Sequence, residues 1–197
     1  MPVGISQLLN WGSPWQTAAG TVLNTAVTQT ISPQGTGPQD FNVATSYLYQ
    51  AATLRVTATG IITTTATSTT ATLFLAAGTV PTTLCTPVGL TTGTTVITGL
   101  QWRWESWHTI IAAGASTGNT ISSFGNLTLF NSGAALPANP IALTATPGMS
   151  LPAPNSAGDT LAAVNTAVAM PIMLRATLAG ANATIQCNRF LVEHLYA

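Results

Sequence analysis

Lysine is absent from this 197-residue sequence, and four arginines with four carboxylates make up its whole charge, 4% of residues, where globular proteins carry about 25%. Without lysine there is no phosphate-binding loop of the Walker type. Arg55, Arg103, Arg175 and Arg189 are too scattered to neutralise a nucleic-acid backbone, so no nucleic-acid partner is expected. Long apolar runs are missing too: Thr, Gly, Ser or Asn interrupts each one before the roughly 18 residues a membrane helix needs, and no membrane partner is expected. The first residues, MPVGISQLLNWGSPW, have neither the basic region nor the continuous apolar segment of a signal peptide. The expectation is a soluble chain made in the cytoplasm. Cysteine is limited to Cys85 and Cys187, far apart in sequence, which read as two small buried hydrophobes rather than a disulfide.

What is present is apolar and β-forming. Hydrophobic residues make up 46% of the chain, enough to offset chain entropy, and the polar remainder is dominated by Thr, whose branched side chain suits a pleated surface. The formal net charge is zero, so free monomers repel one another little and the chain is better suited to an assembly. One domain accounts for the length.

Residues 1–20 read as an N-terminal arm and residues 21–197 as the domain. Residues 21–31, TVLNTAVTQTI, have strand character. In TLRVTATG from Thr53, Leu54, Val56 and Ala58 alternate with Thr53, Arg55, Thr57 and Thr59, the pattern of a half-buried strand. TATLFLAAG from Thr70 repeats it, with Ala71, Leu73 and Leu75 on one face and Thr70, Thr72 and Phe74 on the other. Period two recurs in LQWRWESWHTI, FGNLTLF, PIMLRATL and TIQCNRFLVEHL, with turn chemistry at 78–81, 89–93, 114–118 and 180–182. The spacing is that of an antiparallel sandwich or barrel. Residues 131–170, rich in Pro and Ala, are the long exception, and within them DTLAAVNTAVAM fits a helix turn or a strand equally.

Patterns that carry chemistry are few. GASTG at 114–118 matches the nucleophile pattern G-x-S-x-G, but the segment after Ser116 looks like a strand and not the helix such an elbow requires, so a chance match is the better reading. Carboxylates for glycoside hydrolysis would come from Asp40, Glu105, Asp159 and Glu193, no two of which are close in sequence. His108, His194, Cys85 and Cys187 lack the close spacing that preorganises zinc; no metal, cofactor or catalytic residue is assigned. The sequons at Asn126 and Asn182 matter only in a secretory pathway.

The rare residues gather in LQWRWESWHTI, residues 100–110. Three tryptophans there evoke sugar stacking, yet strand alternation sends Trp102 and Trp104 to one face with Ser106 and His108, and Arg103, Glu105 and Trp107 to the other. The first face reads as core. The second carries an Arg and Glu pair able to meet opposite charges on neighbouring strands. Trp107 is an interface anchor if another subunit covers it.

Taken in order, VLNTAVTQTI, YQAATLRVTATGII, TLFLAAGT, LQWRWESWHTIIAAGAS, GNLTL and the terminal GDTLAAVNTAVAMPIMLRATLAGANATIQCNRFLVEHL resemble a group of tailed-phage virion proteins with a jelly-roll fold similar to tumour-necrosis-factor-like trimers. The members usually carry more charge than this chain. The resemblance implies an antiparallel β-sandwich of jelly-roll type, trimeric, with an extended N-terminal arm, and no catalytic residues. With the low charge and the lack of a catalytic constellation, it leads to an expected place on the outside of a phage capsid as a decoration or cement protein. Its expected partners are further copies of itself and the major capsid protein, with contacts through Trp11, Trp15, Trp107 and loop 131–170. The rival expectation is a tail-fibre or receptor-binding module holding host-surface glycans, and a third is a glycan depolymerase using Glu105 or Asp159.

Overall fold

The computed structural model describes residues 6–8, 24, 28–32, 42–85, 90–91, 96–115, 121–130, 150–152 and 160–195. Among them, all regular structure is strand except one 3-10 turn at Thr45–Tyr47. The strands form two antiparallel sheets. Sheet one is built on the long strands β4 (Thr53–Thr64), β8 (Ile97–Ile110), β9 (Ile121–Phe130) and β13 (Ala183–Leu195), with β1 (Ser6–Leu8) beside β13 and β10 (Ser150–Pro152) and β11 (Thr160–Ala162) beside β9. Sheet two runs β2 (Thr28–Thr30), β12 (Met170–Leu178), β5 (Thr70–Ala77), β6 (Thr82–Cys85), with β3 (Asn42–Val43) on β12 and β7 (Leu90–Thr91) on β5.

The ladders are nested along the chain. β1 pairs with β13, β2 with β12, β4 with β8, and β5 with β6, each pair lying within the stretch of sequence that the last one encloses. Two further ladders, β13 with β4 and β12 with β5, join these pairs side by side within their sheets. Among its described residues, the segment DTLAAVNTAVAM is strand at β11 and irregular from residue 163 to 169, with no helix turn. Ser6–Leu8, inside the stretch expected to be an arm, is a strand of sheet one.

Alternation becomes burial strand by strand. Leu54, Val56, Ala58 and Ile62 of β4, Ala71, Leu73 and Leu75 of β5, Ile172, Leu174 and Ala176 of β12, and Ile185, Phe190 and Val192 of β13 all lie in one core between the sheets. Trp102 and Trp104 are its largest members. Burying an indole contributes about 4–6 kcal/mol against an extended chain, but the ring needs room. Gly60 stands directly opposite Trp102, and Ala58 opposite Trp104, so small residues on β4 make that room.

β13 departs from strict period two. The register with β4 shifts between Cys187 and Arg189, a bulge with Asn188 as the extra residue. Unbroken alternation would place Arg189 on the core side with Cys187. The bulge turns Arg189 outward and returns Phe190 to the core, which avoids burying an unpaired guanidinium.

Candidate functional site

The inner face of β8 carries an unbroken polar chain inside the core. Trp104 Nε1 donates to Ser106 Oγ at 2.9 Å, Ser106 Oγ lies 2.8 Å from His108 Nε2, and His108 Nδ1 lies 2.8 Å from Ser123 Oγ. Either neutral tautomer of His108 satisfies both ring nitrogens, since each hydroxyl donates or accepts. A Ser and His at this distance have the geometry of an activated nucleophile. Their placement removes that role: Ser106, His108 and Ser123 are all buried, and the second nitrogen meets a hydroxyl instead of a carboxylate. Desolvation pushes the His108 pKa down to about 3, so the ring is neutral. His194, also buried, packs between Tyr47 and Tyr49, with ring centroids 5.3 and 5.5 Å away, and burial lowers its pKa as well. Both histidines serve the core. Cys85 and Cys187 are buried free thiols, and among the described residues no group of His, Cys, Asp and Glu could hold a metal.

The outer face of sheet one is where exposed chemistry collects. Four antiparallel strands place outward side chains in registered rows. Reading across β13, β4, β8 and β9, the first row is Glu193, Arg55, Trp107, Phe124 and the second Leu191, Thr57, Glu105, Asn126. The third is Arg189, Thr59, Arg103, Thr128 and the fourth Gln186, Ile61, Gln101, Phe130. Five of the eight charged residues of the chain therefore share this face.

Arg55 is the hub of an ion-pair network. Its guanidinium binds Glu105 Oε1 through Nη2 and through Nε at 3.0 Å, and reaches Glu193 Oε2 at 3.6 Å. Glu105 turns its other oxygen to Arg103 Nη2 at 3.1 Å. Of the pair expected to meet opposite charges on neighbouring strands, Glu105 meets Arg55 of β4, while the ion pair of Arg103 is with Glu105 of its own strand. Glu105 and Glu193, far apart in sequence, meet the same arginine. Asp40 and Asp159 lie outside the described residues. Both glutamates are held by arginine.

Trp107 is neither free nor fully covered. Its ring stacks on Phe124 of β9, centroids 5.4 Å apart and planes at 22°, while Phe124 itself is 48% exposed. Trp107 is thus the outward aromatic of its strand, as alternation predicts, with its first partner inside its own chain. Trp11, Trp15 and loop residues 131–149 lie outside the described residues, as does Ser116. Gly114 of the GASTG stretch sits in a loop, its N–H donating to Thr166 Oγ1 at 2.7 Å. Asn126 is paired with Glu105 and with Pro152 in the sheet, and Asn182 lies in the turn before β13.

Two grooves open on this face. One, about 350 Å³, is lined by Arg55, Thr59, Arg103, Arg189 and Glu193 among others. The second, about 390 Å³, runs past Thr59 and Arg103 to Gln101, Asn188 and Phe130. Sequence reading did not find Arg189, Asn188, Phe124 or Phe130 as site residues. The outward alternation of Phe124 and Phe130 around FGNLTLF was the available signal; the Asn188 bulge had none. The chain matches no protein-family model, no curated protein and no solved structure.

Proposed function

We propose that this chain is a phage virion structural protein that binds the outer surface of the head as a capsid decoration protein, assembled as a homotrimer on the major capsid protein. The observation that carries the reading is the make-up of the outward faces. On sheet one Arg55 and Arg103 pair with Glu105 and Glu193, and apart from Arg189 the remaining outward positions of the four rows are uncharged Thr, amide, aliphatic and aromatic side chains. Such a surface gives little colloidal repulsion and is suited to extensive contact. The nested ladders support the jelly-roll part of the reading, because a long hairpin rolled into two sheets produces that order of pairing. In a head-bound role, stabilisation would come from buried apolar area and from strand-edge hydrogen bonds at subunit junctions.

The second reading, a tail-fibre module that holds host glycans, is favoured by the grooves beside Arg103 and by the partly exposed aromatics near them. Copy number in purified virions separates the two. Hundreds of copies per particle are expected of a decoration protein, and a handful would overturn the first reading in favour of the second.

A further inference from the structure

We propose that the paired grooves on the outer face of sheet one form a binding site for an acidic saccharide, a sugar bearing a carboxylate or sulfate group. The anion would sit above Thr59, between Arg103 and Arg189. These two arginines flank Thr59 in one registered row, which puts their backbones about 10 Å apart, two strand spacings, so that extended side chains converge on a group between them. Arg189 is exposed and makes no ion pair among the described residues, and Arg103, which binds Glu105 through Nη2, leaves 41% of its side chain exposed. The hub glutamates leave this row under-neutralised: three arginines line or adjoin the groove against Glu105 and Glu193. Guanidinium forks match carboxylate and sulfate oxygens in geometry as well as charge.

The second groove specifies the rest of the ligand. Beyond Arg103 it is walled by the amides of Gln101 and Asn188 and by the ring of Phe130, which is 40% exposed. Amides suit sugar hydroxyls, and an aromatic face suits the C–H face of a pyranose. The combined size falls in the range of small-ligand sites. A long polyanion such as nucleic acid is disfavoured, because the chain has four arginines and no lysine. The bulge at Asn188 builds the site: it turns Arg189 outward and lifts the Asn188 amide into the groove wall.

The site deepens the glycan-holding reading, yet copy number tests that reading and binding tests this one, so the two can fail separately. The measurement is isothermal titration calorimetry of the full chain with trigalacturonic acid and sialyllactose, against neutral maltotriose and lactose and against sodium sulfate. At least one acidic sugar should bind, the neutral sugars should not, and sulfate should bind more weakly than the sugar. Arg189→Gln should weaken binding about tenfold or more, and Phe130→Ala should weaken it too, both with unchanged melting temperature since the two side chains are exposed. Three results overturn the proposal: no acidic sugar bound at millimolar concentration, an affinity indifferent to Arg189→Gln, or sulfate bound as tightly as the sugars, which would mark a bare anion site.

Discussion

Gly60 and Trp102 face each other across the β4–β8 ladder on the core side, and the indole occupies the place a side chain on residue 60 would take. A Cβ built there would overlap both the Gln186 carbonyl oxygen and the benzene ring of Trp102. Backbone on one side and a fully packed ring on the other leave nothing cheap to move. Gly60→Ala should therefore destabilise the protein by about 3 kcal/mol or more, at the upper end of overpacking costs. Chemical denaturation would show it as a lower midpoint, and a loss below about 1 kcal/mol would mean that the ladder has more give than the geometry allows.

His108 makes stability depend on acid. Its folded pKa of about 3 lies below the ordinary histidine value of 6.5, so on acidification the unfolded chain takes up a proton first. The stabilisation is complete above pH 6.5 and is lost as pH falls toward 3, by about 1.4 kcal/mol per unit. His194 shifts in the same direction and adds to the slope. Unfolding free energy measured between neutral and mildly acidic pH should fall accordingly, and His108→Gln, although less stable at neutral pH, should flatten the dependence.

Both thiols should be inert while the protein is folded. Burial pushes Cys85 and Cys187 up to about 12, so almost no thiolate exists near neutrality, and the thiolate is the reactive species. A thiol-reactive disulfide reagent should label neither cysteine quickly in native protein and both at once in denaturant. Fast labelling of the native state would contradict the burial.

Removal of the negative centre of the ion-pair network should have a modest effect. Glu105 is bound by Arg55 and Arg103 in a partly solvated setting, so Glu105→Gln is expected to cost about 1 kcal/mol or less, and the difference from wild type should shrink at high salt. A much larger loss would show that the network is drier than its exposure implies.

Deletion of Asn188 should remove the bulge and leave the fold standing. With the extra residue gone, Cys187, Arg189 and Phe190 follow one another in strict alternation opposite Gly60, Thr59 and Ala58, so Arg189 stays outward and Phe190 stays in the core. The midpoint of a melting experiment should change little, as for Asn188→Ala, which keeps the bulge, and a loss of more than about 3 kcal/mol would mean that the bulge itself is needed for the strand to pack.

Much of the fold was legible because burial on a sheet has period two. The alternation in TLRVTATG and in LQWRWESWHTI assigns Leu54, Val56, Ala58, Trp102 and Trp104 to the core and Arg55, Arg103, Glu105 and Trp107 to the outside, and the structure keeps every one of those faces. The unusual surface was legible from composition alone. Pairing was not. Which outward residue lies beside which depends on strand neighbours and register, and those are set by the joint packing of both sheets. Arg55 meets Glu105 because β4 lies next to β8, and Phe124 meets Trp107 because β9 closes on the other side.

The class of the protein, an all-β chain with a Thr-rich, nearly uncharged exterior, is written in residue order and composition, since propensity, alternation and the count of ionic groups are local properties. The site is a product of three-dimensional packing. The groove between Arg103 and Arg189 exists because one bulge reverses the face of Arg189 and of every residue after it in β13, and where the extra residue falls is fixed only by the register with β4.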